Sequence, residues 1–145
     1  MPKLQSTKIF PNYPCSHRQH LHQGHCAYVH GYSRSFHFKF EADELDQFGF
    51  VMDFGSLKWV KAFLEDHFDH TLLINEADPL LDTFRDLARA GAAKLVVLPN
   101  VGMEGTAKWL YEELSPRFRE QTLGRVRIVE IEVRENDKNS AIYIP

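Results

Sequence analysis

The sequence predicts an α+β fold in which an antiparallel sheet carries helices packed on one face. Strand-like alternation of polar and apolar residues occurs in the first third of the chain and again in the last third, whereas the middle has apolar residues at helical spacing. An order of strands, then helices, then strands favours this arrangement. The 145 residues are expected to form one domain, 1–145.

The first strand is predicted from Tyr32 to Ala42, where alternate residues face the same side of the chain. One face carries Tyr32, Arg34 and three phenylalanines, and the other face is polar. His30 has the same parity as Tyr32, so its side chain is expected on the apolar side, where a neutral imidazole needs a partner.

Three helices are predicted from apolar spacing and end signals. They run from Ser56, as N-cap, to Phe68; from the cap Asp78 with Pro79 in the first turn to Gly91; and from Glu104 to Leu114, with Pro116 as the boundary just beyond.

A short strand is predicted over Lys94–Leu98, and a terminal hairpin over 125–134 and 141–144. Parity places Val129, Ile131, Val133 and Glu135 on one face, so a carboxylate ends an apolar row. That carboxylate either binds a guanidine-like ligand edge through two parallel hydrogen bonds, or marks where the strand emerges into solvent.

Composition excludes several classes of partner and location. The net charge of -3 and the pI near 6.2 speak against a nucleic-acid-binding surface. No apolar run is long enough to cross a bilayer and the first residues lack the apolar stretch of a signal peptide, so a soluble cytoplasmic protein is expected. Two cysteines suit reduced thiols, and Cys15 is expected to be a small buried hydrophobe.

Imidazoles and a thiol are concentrated between residues 17 and 31. His25, Cys26, His30 and Gly31 lie close together in sequence, with His17 upstream. Zinc sites use such nitrogen and sulfur ligands, and a thiol nearby can act as a nucleophile or base. The cluster therefore predicts a metalloenzyme.

Two further sites carry weaker signals. Asp69 precedes His70 at the end of the first predicted helix, where a carboxylate can fix the imidazole tautomer for proton transfer. The alternative is a polar helix end, with His67 nearby. Glu104 at the start of a helix is explained by the helix dipole.

Taken in order, these pieces resemble the 6-pyruvoyl-tetrahydropterin synthase and 6-carboxy-tetrahydropterin synthase family. The resemblance covers nearly the whole chain. It rests on Cys15-Ser16-His17-Arg18, Gly24-His25-Cys26, His30-Gly31, residues 49–54 with Leu57-Lys58, Asp69-His70, Glu104 and Val133-Arg134-Glu135.

The resemblance implies a fold and an assembly. The family's fold, the tunnelling fold, is a four-stranded antiparallel sheet with helices on one side. Three subunits close a barrel and two trimers stack, so a homo-oligomer (trimer or hexamer) with active sites at subunit interfaces is expected.

The resemblance also implies roles for individual residues. His17 and His30 match two of the three histidines that hold a catalytic zinc, and Cys26 matches the base that acts on the substrate side chain. Asp69 with His70 matches the pair that assists proton transfer. Glu135 matches the carboxylate that anchors the aminopyrimidine edge of the pterin, and Glu104 falls where a second pterin-contacting glutamate is usual.

The implied reaction is that of a zinc-dependent lyase acting on 7,8-dihydroneopterin triphosphate, a small-molecule pterin substrate. In a bacterium the product is expected to be 6-carboxy-5,6,7,8-tetrahydropterin, for a 7-deazaguanine such as queuosine. The alternatives are the 6-pyruvoyl product, a pterin-binding protein that has lost its metal, and a structural zinc site.

The chain departs from the family pattern at the third zinc ligand. A His-Gly-His triplet is usual, and this chain has His30-Gly31-Tyr32. A neutral phenol is a poor zinc ligand, because forming the phenolate near pH 7 needs a pKa shift of about three units. Tyr32 is assigned the third position; the alternatives are substitution by His20, His22 or His25, or a weak or absent metal.

A second departure is the stretch from Asp78 to Asn100, which is longer than in compact members of the family. Gly102-Met103 also replaces a threonine-containing turn before Glu104. Both changes fall near the expected pterin pocket.

Overall fold

A computed structural model describes residues 2–145 and places six strands in one sheet. The strands are β1 (Leu4–His17), β2 (His30–Ala42), β3 (Thr71–Asn75), β4 (Lys94–Leu98), β5 (Val126–Arg134) and β6 (Ser140–Tyr143). Their order across the sheet is β4-β3-β1-β2-β5-β6. The helices are α1 (Lys58–Phe68), α2 (Leu81–Arg89) and α3 (Met103–Thr122), with short 3-10 helices at His25–Ala27 and Phe54–Leu57.

The α+β class is confirmed, but the sheet has six strands rather than four. Strands β1, β2, β5 and β6 form an antiparallel unit. The additional strands β3 and β4 pair in parallel with β1 and with each other, so the complete sheet is mixed.

The main core lies between the sheet and the helices α1 and α3. The phenylalanines that β2 presents to this side, Phe36, Phe38 and Phe40, are at most 1% exposed, as the alternation predicted. Phe40 meets Phe118 of α3 with ring centroids 5.3 Å apart. Burial of this apolar area is the main stabilising contribution to the fold.

Helix α2 packs on the opposite face of the sheet, so the helices do not form a single layer. Its Phe84 forms a separate cluster with Leu72 and Ile74 of β3. Leu73, which lies between those two residues in sequence, belongs to the main core. Because alternate strand residues point to opposite faces, β3 separates the two clusters.

Several element boundaries differ from the sequence prediction. Ser56 does not cap α1, because Asp53 caps the preceding 3-10 turn by accepting a 2.9 Å hydrogen bond from Gly55 N. Pro116 does not bound α3, which continues to Thr122. The proline lies on the exposed side, where the carbonyl it leaves unpaired can meet water, while the buried row continues to Phe118.

Other predicted elements are confirmed. The strand Lys94–Leu98 and the terminal hairpin of β5 and β6 are present. Of the apolar row predicted before Glu135, Ile131 and Val133 are buried in the core. Val129 is not, because the register between β2 and β5 shifts next to Lys39. Within residues 2–145, no helix is long and apolar enough to cross a membrane.

Candidate metal centre

The end of β1 and the start of β2 place His17 and His30 side by side. The two residues are register partners in the antiparallel pair, and their ring centroids are 4.6 Å apart. Partners in adjacent strands present their side chains to the same face of the sheet. The structure therefore brings together the two histidines that the sequence predicted as metal ligands.

Glu135 joins the two histidines from the residue after β5. Its Oε1 lies 4.0 Å from His30 Nε2, and one ligand atom from each of His17, His30 and Glu135 lies within 4.8 Å of the others. Two imidazoles and a carboxylate are a donor set that binds divalent metal ions such as zinc. This group can hold a metal ion.

Hydrogen bonding fixes the tautomer of His30. Its Nδ1 lies 2.7 Å from the carbonyl oxygen of Tyr28. A carbonyl only accepts hydrogen bonds, so Nδ1 carries the proton and a neutral ring has its lone pair at Nε2. Metal-binding histidines commonly donate their second nitrogen to a carbonyl in this way.

His17 is buried and neutral. Only 4% of it is exposed, and its Nδ1 has no hydrogen-bond partner among residues 2–145. Burial, then the positive charge of Arg34 and proximity to His30, lower the pKa of His17 to about 3. A buried imidazole with an unpartnered nitrogen fits a metal ligand.

Arg34 is a buried cation near His17 and Glu135, and the sequence predicted no role for it. It is 1% exposed and donates hydrogen bonds to Val101 O at 2.8 Å and to Thr106 Oγ1 at 3.4 Å. These bonds join β2 to the start of α3. Burial lowers the pKa of Arg34, and Glu135 is among the groups that raise it. In the sequence, the sign of a special role for this residue was its position: an arginine on the apolar face of an alternating strand.

Tyr32 lies on the predicted face of the sheet but outside the group formed by His17, His30 and Glu135. It is 46% exposed, and its ring centroid lies 6.2 Å from that of His30. Of the spare histidines, His20 contacts Asn75 and His22 accepts a hydrogen bond from Gly24 N. His25 is exposed at the start of its 3-10 helix.

Cys26 lies in the 3-10 helix that packs against the residues after His17. Its carbonyl accepts a 2.9 Å hydrogen bond from Gln19 N, and Arg18 Nη1 donates to Ala27 O at 3.3 Å. Cys26 is half-buried, whereas Cys15 is buried, as predicted. Burial raises the pKa of the Cys15 thiol, which makes it a poor nucleophile.

Asp69 and His70 form a pair at the end of α1, with Oδ1 and Nδ1 2.6 Å apart. His70 N donates to Pro14 O at 2.7 Å, so the pair lies beside β1. The His70 side chain is 82% exposed. Within one chain, the pair is not part of the group formed by His17, His30 and Glu135.

Glu104 lies on the exposed side of the first turn of α3. The start of this helix contacts the segment after His17, because a Cβ at Gly102 would lie 2.8 Å from Gln19 Nε2. The same point is 3.7 Å from Glu104 Oε2. Glu104 and Cys26 therefore both lie beside the short segment that follows His17.

The fold and the site define an α+β protein with a histidine–carboxylate group able to hold a metal. The chain matches the family model "6-pyruvoyl tetrahydropterin synthase" over residues 7–145. A 6-carboxy-5,6,7,8-tetrahydropterin synthase from Aquifex aeolicus is 30% identical over 123 residues, which cover 81% of this chain and 75% of the relative.

Solved structures share this fold. An uncharacterized protein from Wolinella succinogenes is 26% identical, with a TM-score of 0.84 over 99% of both chains. The 6-pyruvoyl tetrahydropterin synthase of Caenorhabditis elegans shares the fold, with a TM-score of 0.67 at 19% identity over 100% of this chain and 97% of that one.

The chain belongs to the 6-pyruvoyl tetrahydropterin synthase family, as the ordered motifs predicted. It is an enzyme, a lyase of the 6-carboxy/6-pyruvoyl-tetrahydropterin synthase type.

Proposed function

We propose that this chain is a zinc-dependent lyase that converts 7,8-dihydroneopterin triphosphate to 6-carboxy-5,6,7,8-tetrahydropterin. The observation that carries the proposal is the pairing of His17 and His30 next to Glu135. The name of the Aquifex aeolicus relative favours the 6-carboxy product, which belongs to queuosine synthesis, over the 6-pyruvoyl product.

His17 and His30 would hold the zinc ion, with a third donor from Glu135 or Tyr32. The unpartnered buried nitrogen of His17 and the free lone pair of His30 Nε2 fit this role. When bound, zinc supplies Lewis-acid polarisation of the side-chain hydroxyls of the substrate.

Cys26 is the proposed base that removes a proton from the substrate side chain. Its short helix is held against Arg18 and Gln19, directly after the proposed metal ligand His17, and this contact supports the role. A thiolate is the form able to accept a proton.

Asp69 and His70 are proposed to carry protons to and from the substrate. The carboxylate holds the Nδ1–H of the imidazole, which leaves Nε2 free to accept a proton. Because the His70 side chain is exposed and separate from His17 in one chain, the pair is proposed to serve an active site shared with a neighbouring copy. A trimer or hexamer with interfacial sites would provide this arrangement.

Glu104 is proposed to accept hydrogen bonds from the aminopyrimidine edge of the pterin. A carboxylate can accept two parallel bonds from this edge, and the exposed first turn of α3 leaves Glu104 free to do so. Glu135 is a second carboxylate able to reach a bound pterin or the histidines.

We place the enzyme in the cytoplasm as a single domain, with no nucleic acid among its partners.

Product analysis tests the proposed reaction. The purified zinc-loaded protein is incubated with 7,8-dihydroneopterin triphosphate, and the products are identified by mass. Formation of 6-carboxy-5,6,7,8-tetrahydropterin supports the proposal, and the 6-pyruvoyl compound would assign the other activity of the family. Recovery of unchanged substrate from zinc-loaded protein would contradict both.

A pterin-binding protein without a metal is a second candidate, favoured by Tyr32 at the position where the family has a histidine. Metal analysis of protein purified without chelator separates the two. Substoichiometric zinc with retained pterin affinity would favour the binding protein. A structural zinc site would instead make chelation unfold the chain, whereas a catalytic site loses activity first.

A further inference from the structure

We infer that Glu135, and not Tyr32, is the third protein ligand of the metal in this chain. The inference rests on the metal site of the proposed function and deepens it. It changes the donor set from three imidazoles to two imidazoles and a carboxylate, and it assigns Glu135 to the metal rather than to the pterin.

The orientation of His30 is the first argument. The proton on Nδ1 is held by Tyr28 O at 2.7 Å, so the lone pair of the neutral ring is at Nε2. That nitrogen is the atom 4.0 Å from Glu135 Oε1. The nitrogen available for a metal therefore already lies near the Glu135 carboxylate.

The separations among the three residues are the second argument. One ligand atom from each of His17, His30 and Glu135 lies within 4.8 Å of the other two. Tetrahedral ligands about 2.1 Å from zinc are roughly 3.4 Å from one another. Binding would draw the three side chains together by about an ångström, within the reach of rotamer adjustments.

The carboxylate is also free of competing partners. Among residues 2–145, no side chain donates a hydrogen bond to Glu135, and the nearby guanidinium of Arg34 is committed to Val101 O and Thr106 Oγ1. The positive charge of Arg34 nevertheless lies close enough to Glu135 for a Coulombic interaction. The Glu135 oxygens are therefore available to a cation.

Tyr32 is less suited to the position. Its ring lies 6.2 Å from the His30 ring, nearly perpendicular to it at 83°, and 46% of the residue is exposed. A carboxylate is ionised at neutral pH, whereas a tyrosine must first lose a proton that it normally holds to about pH 10. Two histidines and a glutamate are also a known donor set of catalytic zinc sites, which keep a fourth position open for substrate.

This assignment separates the roles of the two glutamates. A carboxylate bound to a metal cannot also accept two parallel hydrogen bonds from a pterin edge. Glu104, which is exposed on α3, is left as the carboxylate for the pterin.

Metal binding by purified variants tests the inference without measuring activity. Metal-free wild type, Glu135→Gln and Tyr32→Phe are titrated with Co²⁺, followed by its visible absorption, and Zn²⁺ affinity is then obtained by competition. Glu132→Gln is the matched control, because this β5 carboxylate is held by Arg134 and Ser140 and pairs with His37, outside the group formed by His17, His30 and Glu135.

Glu135→Gln is expected to weaken Zn²⁺ binding by more than about 100-fold, since loss of a ligand exceeds the 10- to 100-fold cost of losing an outer partner. Tyr32→Phe and Glu132→Gln should bind within about threefold of wild type. Wild-type affinity in Glu135→Gln, a comparable loss in Tyr32→Phe, or a wild type that binds neither ion would each overturn the inference.

Two measurements keep the result independent of folding and of the proposed reaction. Metal-free Glu135→Gln should melt at the wild-type temperature. If Glu135→Gln fails to fold, Glu135→His takes its place as the test, because it supplies an imidazole at the same position and should bind Zn²⁺. Absence of Zn²⁺ binding in Glu135→His would count against the inference. A wild type that binds zinc through Glu135 but forms no product would overturn the proposed function alone. Product formation with Zn²⁺ affinity unchanged in Glu135→Gln would overturn only the ligand assignment.

Discussion

Arg18 forms a two-point ion pair with Asp78, with Nε and Nη2 lying 2.7 and 3.0 Å from the two carboxylate oxygens. The Asp78 side chain is fully buried. Burial alone would raise the pKa of Asp78, but the hydrogen bonds from Arg18 and Leu80 N hold it below its usual value. The same guanidinium reaches Ala27 O, so one residue connects the start of α2 to the segment that carries Cys26.

Asp78→Asn should lower the free energy of unfolding by about 3 kcal/mol, because it leaves the Arg18 charge without its buried partner. Urea denaturation measures this loss. Asp82→Asn is the matched control: its pair with Arg85 is exposed, so a change within about 0.5 kcal/mol is expected. Equal effects of the two substitutions would contradict a special contribution from the buried pair.

Cys26→Ala should lower kcat by about 10²- to 10⁴-fold, the usual contribution of a general base. Its zinc content should remain close to that of wild type, because Cys26 is outside the group of candidate ligands. Cys15→Ala is the control, since that buried thiol has a raised pKa and is expected to stay protonated. Turnover by Cys26→Ala near the wild-type rate would remove Cys26 from the mechanism.

His70→Asn should reduce kcat by about 10²-fold or more through loss of the proton carrier. Asparagine is the informative replacement because His70 has a φ of 58°, a left-handed conformation that asparagine tolerates better than most residues. The backbone bond to Pro14 O is then retained, and the melting temperature should change little. His22→Asn serves as a control at an exposed imidazole and should keep full activity.

Metal-free protein should lose stability as the pH falls from about 6.5 towards 3. Unfolded His17 takes up a proton below its ordinary pKa of 6.5, whereas folded His17 stays neutral until about 3. The unfolded state therefore binds more protons in this window, and the free energy of unfolding falls by up to about 1.4 kcal/mol per pH unit.

Urea denaturation in chelator at several pH values measures that slope. His17→Gln should flatten it between pH 6.5 and 4.5, while His22→Gln should retain it. Glu41 contributes only at the lower end of that range: hydrogen bonds from Arg127 and Gln5 lower its pKa to about 2, and the unfolded form takes up a proton only from about one pH unit above its ordinary pKa of 4.5. An unchanged slope in His17→Gln would assign the acid sensitivity to other groups.

The sequence contained enough information for the elements with clear periodicity. The alternation through Phe36, Phe38 and Phe40 identified β2, and helical spacing identified the buried face of α1. Strand β1 has no such pattern: it contains two prolines and a residue with positive φ, Asn12, and it is held by pairing with β2. Strand β3 is buried throughout, so it has no alternation to detect.

The candidate site was predictable where its residues lie near one another in sequence or share a strand face. His17 and His30 were recognised in this way, and the structure brings them together. The position of Glu135 depends on the register between β2 and β5, which includes an irregularity that parity alone does not reveal. Arg34 was placed on the correct face, but its bond to Val101 O depends on the packing of α3.

Strand β3 has a consequence for how this protein can vary. Leu73 faces the main core, while Leu72 and Ile74 face the small cluster under α2, so the strand acts as a partition between two hydrophobic compartments. Insertions or deletions in or next to α2, beyond the Arg18–Asp78 ion pair, would alter the smaller compartment. Such changes can alter the α2 side of the sheet without changing the main core, on whose strands β1 and β2 the two histidines lie.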